Sequence, residues 1–305
     1  MAVDFIDFSC KHDILIRNAD GSYLPMDEPY FESEQIGPDT WKVLSSGDYC
    51  YILKGDGVAY ALDGGYGAGN IRNYMEGVCG LSVPAIINSH DHFDHTGSNS
   101  YFDRAYMSEL GVKYATIPFP SFAGIEFHAD SYERIAVKEG DVIDLPGRPL
   151  EVIALADHAP SSLLYLDRKA RILFTGDEIF AGPMKPLNGS LTAWVNGLAK
   201  IEEVWDAFDF ACGGNGVMTK DHLKGHIECA KYALSHLEEA QKPSSPGGPP
   251  PALPDYQGHK VYDRKRPHPG DRSVYEPQDA ARANHANMKA IQYQGYLIMF
   301  DPDLV

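Results

Sequence analysis

The chain has 305 residues, 44% of them hydrophobic and 23% charged, enough to bury a large core in one big domain or two small ones. Its net charge of −17 repels phosphate backbones and anionic lipid surfaces, which argues against a nucleic-acid or membrane-surface partner. Five scattered cysteines without a Cys-x-x-Cys pair, no visible signal peptide and no long apolar run lead us to expect a reduced, cytoplasmic protein.

Residues 1–34 read as an N-terminal arm, since Val3–Phe8 alternates only in part and Asp27–Pro38 is acidic with two prolines. From Trp41 the period-two pattern sharpens. Trp41–Leu44, Tyr49–Lys54 and Val58–Asp63 read as strands, with Gly55-Asp56-Gly57 as a hairpin turn. Ala68–Val78 is expected to be a helix, Val83–Asn88 a strand and Tyr101–Leu110 a helix. Residues 113–135, rich in Tyr, Phe and Pro, read as an insertion that packs into a core or walls a substrate pocket. Asp141–Leu145, Leu150–Ala154, Leu163–Leu166 and Arg171–Asp177 complete the strands. Ala193–Phe208 is an amphipathic helix with Leu198, Ile201, Val204 and Trp205 on one face, and His222–Ala240 is a second helix. The main domain therefore runs over 35–241. A Pro/Gly-rich linker follows at 242–254, then a tail at 255–305 that packs on the domain or on a neighbouring subunit. The tail carries a basic patch (Lys260, Arg264, Lys265, Arg266, Arg272) and an apolar run, Tyr296–Phe300.

The densest chemistry is His90-Asp91-His92-Phe93-Asp94-His95, placed directly after the apolar run Val83–Ile87. In extended chain, side chains at i and i+2 share a face, so His90 and His92 can grip one cation. A turn into helix near Asp94 points Asp94 and His95 elsewhere, suitably for a second cation. Imidazole with carboxylate suits zinc, iron or manganese. The plain alternative is a polar turn with solvated histidines, but so many titratable groups together cost stability unless a cation neutralises them.

His90-x-His92-x-Asp94-His95, followed by Thr96-Gly97, resembles the metal motif of the metallo-β-lactamase superfamily. Other signals follow in that family's order over roughly residues 35–240. Asp63 before its glycines resembles the first motif, whose Asp steadies the metal loop. His158 stands at the third, with Asp157 in place of the usual glycine, and Gly176-Asp177 resembles the fourth. Gly214-Asn215-Gly216 stands where the family has Gly-His-Gly. The resemblance implies an α/β fold, a four-layer αββα sandwich, here with a C-terminal extension.

It also implies two divalent metal ions, zinc with iron or manganese as alternatives. His90, His92 and His158 would hold the first. Asp94, His95 and Asp177 would hold the second, with Asn215 as candidate fourth ligand and the site weaker for lack of an imidazole. Asp94 would be catalytic, orienting the nucleophile and then protonating the leaving group. The implied activity is hydrolysis of a small ester, thioester or lactone by a metal-bound hydroxide, in a homodimer acting on a small molecule. Asp177 resembles the thioesterase, lactonase and phosphodiesterase branches, while Phe180 lacks the tyrosine hydroxyl of acyl-homoserine lactonases. Alternatives are a mononuclear iron oxygenase of the persulfide dioxygenase type and a non-catalytic binding protein of the same fold. His222 and His226 have the spacing of a zincin pair, but Leu223 stands where that motif needs Glu, so they read as helix-surface residues.

Overall fold

Strand β1 (Leu15–Arg17) pairs antiparallel with β2 (Tyr23–Pro25), apart from two larger assemblies. The structure, a computed structural model, describes residues 15–17, 23–25, 31–45, 48–65, 69–114, 132–243 and 283–305. The described chain divides into two units. One contains the residues up to Val137 together with Ile143–Pro149, and the other contains Lys138–Val142 and the residues from Leu150 onward.

The first unit is built on a seven-stranded sheet, β3 (Phe31–Gly37), β4 (Thr40–Ser45), β5 (Asp48–Lys54), β6 (Ala59–Leu62), β7 (Ala85–Ile87), β8 (Arg104–Ser108) and β9 (Glu133–Val137), in that spatial order. The expected three-strand antiparallel meander is β4 to β6, β3 adds a fourth antiparallel strand where residues 31–37 had read as arm or loop, and β6 to β9 run parallel. A parallel pair needs a crossover. Between β6 and β7 it is α1 (Ile71–Cys79), capped by the Asn70 side chain on Asn73 N and ended by Gly80 in a left-handed conformation. Its buried residues Ile71, Met75 and Cys79 recur every four positions and join a core with Val43, Ile52, Ala61 and Ile86. Buried Arg148 bonds Thr40 Oγ1 at 2.6 Å and the Asp39 carbonyl, tying 143–149 to the meander. The fold thus sets the carboxyl ends of β6 and β7 side by side, with Asp63 after one and His90 after the other.

The expected helix Tyr101–Leu110 is absent. A 3₁₀ turn at Asn99–Tyr101 leads into strand β8, and α3 (Glu109–Tyr114) begins only afterwards. Burial at Ala105 and Met107 alternates with partial exposure at Arg104, Tyr106 and Ser108, which is strand periodicity. Pairing with both β7 and β9 decides the conformation there. Of the expected insertion, 115–131 lies outside the described residues, and its last stretch enters β9.

The second unit carries a sheet in the order β10 (Val142–Ile143), β11 (Leu150–Ala154), β12 (Leu163–Asp167), β13 (Ile172–Gly176), β15 (Phe210–Gly213), β16 (Gly216–Thr219). Helix α4 (Leu191–Glu203), capped by Ser190, makes the crossover between the parallel pair β13 and β15. Helix α5 (Lys220–Ser235), capped by Thr219, follows β16. Both helices stop short of the expected ends and run on into 3₁₀ turns, Trp205–Ala207 and Leu237–Glu239. A small sheet, β14 (Met184–Pro186), β18 (Tyr296–Phe300) and β17 (Lys289–Tyr293), joins mid-chain to C-terminal residues, with β14 and β18 parallel. Ile291, Ile298 and Phe300 share one apolar cluster with Leu198, Ile201, Leu223 and Ile227. Among the described residues no helix is long and apolar enough to cross a membrane.

Candidate functional site

In the first unit, β7 ends at Ile87, the chain bends over Ser89–Asp91, and His92 is extended (φ −61°, ψ 147°) before α2 (Phe93–Thr96) begins. His90 therefore lies in a bend rather than on the extended chain expected, His92 is extended, and Asp94 and His95 lie on a helical turn. Ring centroids of His90 are 4.4 Å from His92 and 4.2 Å from His95. Asp94 Oδ2 lies 3.9 Å from His95 Nε2, with a quarter of the Asp94 side chain exposed.

Asp63 organises this loop. Its backbone is left-handed (φ 58°), its N–H donates to Ile87 O, and its buried carboxylate accepts from Ser89 N at 2.8 Å and Ser89 Oγ at 2.7 Å. His95 Nδ1 lies 3.0 Å from Asp63 Oδ2. Because the Ser89 hydroxyl donates to Asp63, it accepts from His90 Nδ1 at 3.0 Å. Asp63 thus acts on His90 through Ser89 and stands directly beside Nδ1 of His95, an arrangement that turns Nε2 of each ring toward the role a metal ligand would need. Asn88 and Asn99 brace the loop from behind through mutual amide bonds, and Asn88 also bonds His95 O. Gly64 is required here, since a Cβ would come within 2.9 Å of Ile86 and Ser98. Nearby Cys50 is no thiolate donor, because burial and then Asp63 push its thiol well up.

In the second unit, His158 Nε2 lies 3.6 Å from Asp177 Oδ2, bringing two of the predicted ligands together. The His158 loop is held by its backbone. Glu178 accepts from Asp157 N at 3.0 Å and from His158 N at 2.9 Å. Asp157 Oδ1 accepts from Asn188 N and Gly189 N, and Asn188 Nδ2 donates to His158 O at 3.2 Å. Lys185, only 3% exposed, sits 3.0 Å from Asp157 and 3.7 Å from Glu178, with its ammonium over the Trp194 ring. Burial raises the Glu178 carboxyl while the Lys185 charge opposes the rise. The substitution of Asp157 for the family's glycine therefore has a structural partner set. Sequence reasoning missed Glu178 and Lys185; the available signal was a charge closing the apolar stretch Ile172–Phe174 and Ile179.

Asn215 lies exposed on the turn between β15 and β16, with Oδ1 accepting from Ala181 N at 2.9 Å. His222 and His226 are not the surface residues expected. His226 is buried, and the tail strand β18 covers both rings with Tyr296. His222 Nε2 reaches Phe180 O at 3.0 Å and His226 Nε2 reaches Gly182 O at 2.9 Å. The Phe180 ring stands edge-on to His158, centroids 6.2 Å apart.

Taken by units, the donors are three imidazoles with a carboxylate, and an imidazole facing a carboxylate. That chemistry fits a divalent transition metal. A family model described as the metallo-beta-lactamase superfamily matches residues 47–212. The chain is 25% identical over 188 residues to the acyl-coenzyme A thioesterase MBLAC2 of Bos taurus, covering 55% of this chain and 64% of that one. It is 28% identical over 133 residues to a hydroxyacylglutathione hydrolase of Rippkaea orientalis, covering 42% and 48%. The chain thus spans less than two thirds of either relative. A solved metallo-beta-lactamase from Pontibacter korlensis superposes with a TM-score of 0.53 at 15% identity, over 66% of this chain and 99% of that one, a likeness of fold alone.

Proposed function

Because the chain belongs to the metallo-beta-lactamase superfamily, with its α/β fold, we propose that it is a metal-dependent hydrolase of small acyl substrates, thioesters foremost. The observation that carries this reading is the packing of the His92 and His95 rings 4.4 and 4.2 Å from the His90 ring, with Ser89 on His90 Nδ1 and Asp63 beside His95 Nδ1. The names of the two curated relatives favour thioesters over other esters and lactones.

In this reading His90, His92 and His158 hold one divalent ion, zinc foremost, and Asp94, His95 and Asp177 a second, as the order of the motifs implies. When bound, the ions would supply Lewis-acid stabilisation of the oxyanion and a nucleophile competent near neutral pH. The chain's own part is positional and protolytic. Asp63 and Ser89 keep Nδ1 of His95 and His90 protonated, so neither ring needs to reorient as charge develops. Asp94, partly exposed beside His95, takes the proton of the attacking water and delivers it to the leaving sulfur or oxygen. Phe180 offers an apolar edge next to His158 and no hydroxyl.

Metal analysis of the purified protein, combined with hydrolysis of acyl-coenzyme A and acylglutathione thioesters before and after chelation, tests the proposal. The expected result is bound metal and thioester cleavage that disappears on chelation and returns with zinc or manganese. His90→Ala and His158→Ala should each lose both metal and turnover. Asp94→Asn should retain metal on the first site and lose turnover sharply. A metal-replete protein that leaves thioesters, esters and lactones intact while consuming oxygen with a persulfide would overturn the hydrolase in favour of an iron oxygenase.

A further inference from the structure

We propose that the C-terminal hairpin belongs to the site: it holds in place the two loops of the second unit that carry His158 and Asp177. The inference rests on reading those two residues as metal ligands.

The first connection runs through α5. Tyr296 on β18 packs its ring against both His222 and His226, with centroids 5.3 and 5.0 Å away, and its hydroxyl lies 3.2 Å from His222 Nδ1. Gly225 makes the seat for that ring, since a Cβ there would come 2.1 Å from Tyr296 Cε2. Glycine inside a helix is unfavourable, and the close approach of Tyr296 is what requires it. On their far side the two imidazoles grip the main chain, His222 at Phe180 O and His226 at Gly182 O. Asn215 takes the intervening N–H of Ala181. Three successive residues just beyond Asp177 are therefore each held by a side chain. A carbonyl only accepts, so an Nε2 that bonds one carries a proton; the two Nε2 atoms also lie 3.2 Å apart, and the Tyr296 hydroxyl donates to His222 Nδ1 when His222 holds its proton on Nε2. Burial keeps His226 neutral, with its pKa lowered to about 4.

A second connection reaches the His158 loop through Asn188, all four of whose polar groups are engaged. Its N–H donates to Asp157 Oδ1 and its Nδ2 to His158 O. Its own carbonyl accepts from Ala283 N at 2.8 Å, and its Oδ1 faces His285 Nε2 at 3.1 Å. Both of these last partners come from the stretch just before β17. Two independent routes thus lead from residues 283–300 to the two ligand loops, each ending on main-chain atoms that fix where His158 or the segment after Asp177 can sit.

Removing the hairpin would strip Ile291, Ile298 and Phe300 from the core, so point variants of the full chain are the proper test. Tyr296→Phe keeps the ring and removes the hydroxyl. His285→Ala removes an exposed side chain that bonds Asn188. His285→Gln retains a donor. Each protein, freed of metal by chelation, is titrated with zinc alone by calorimetry, and its thermal unfolding is recorded separately. Tyr296→Phe and His285→Ala are expected to weaken zinc binding on the order of 10-fold, the low end of what partners of metal ligands contribute. Unfolding midpoints should shift by only a few degrees, and His285→Gln should restore the wild-type affinity. Unchanged zinc affinity in both variants, beside firm binding by the wild type, overturns the inference and leaves the metal reading standing. Affinity lost only in proportion to stability also overturns it, making the hairpin a structural element alone. A wild-type protein that binds no zinc overturns the metal reading and this inference with it.

Discussion

In the first unit four proposed ligands fall within six residues, and their frame comes from the neighbouring strand: Asp63 reaches Ser89 and His95 across the β6–β7 pair. In the second unit His158 and Asp177 stand 19 positions apart, and their frame is gathered from Lys185, Asn188, Asn215, His222, His226 and Tyr296. The first loop depends on a few short polar bonds in a tight space. The second depends on buried charge and on contacts from distant stretches of chain. A dense motif can be oriented by one outer carboxylate, whereas scattered ligands need a scaffold, and the scaffold carries the larger stability risk.

The largest expected effect breaks that scaffold. Lys185→Met leaves Asp157 and Glu178 as buried acids without their cation, and should cost about 3–5 kcal/mol in urea unfolding. A loss under about 1 kcal/mol would show that the two acids share a proton at no great penalty. Next comes the first unit's frame. In Asp63→Asn the amide nitrogen faces either Ser89 N, where a backbone bond is lost, or Ser89 Oγ and His95 Nδ1, where an imidazole must change tautomer. Zinc affinity should fall by about 10–100-fold with a much smaller change in stability. Equal losses of affinity and stability would erase the contrast between the two regions.

A pH dependence should mark the second unit. His226 has its folded pKa lowered to about 4 by burial, with His222 and Lys185 adding to the fall. The unfolded chain, with histidine near 6.5, binds the proton more readily between those values. Stability from this group is therefore complete above about pH 6.5 and is lost as pH falls toward 4, the loss reaching about 2 kcal/mol at pH 5. Comparing wild type with His226→Gln in urea, both without metal, isolates it; parallel pH profiles would refute the burial argument. The smallest effect is Thr219→Ala, which removes the cap on His222 N and should cost about 1 kcal/mol. A matching cost for Asn70→Ala on α1 would show that caps weigh alike in both units.

Much of the architecture was legible where chemistry is local. The meander around Gly55–Gly57 follows from alternation, and His90–His95 declares itself by density. Tyr101–Leu110 misleads because Met107, Ser108, Glu109 and Leu110 suit a helix, while only the pairing of β8 with β7 and β9 selects the strand. His222 and His226 read as surface because the strand that covers them lies some 70 positions further on. Lys185 likewise carries no local pattern, and the charge of Glu178 beside Ile172–Phe174 and Ile179 makes sense only once Asp157 is placed beside both.

The parallel pairing of β14 with β18 has a consequence for biosynthesis. Met184 finds its partner, Leu297, more than a hundred residues later. At roughly 5–20 residues per second, a nascent chain waits on the order of ten seconds between making one strand and the other. Throughout that interval the edge of β14 is unpaired, and the seat at Gly225, once made, waits for Tyr296, an opening for chaperones or for a neighbouring chain. The frame around Asp63 and His90 can close as soon as β7 and α2 have emerged. The loops of His158 and Asp177 are translated early and seated late.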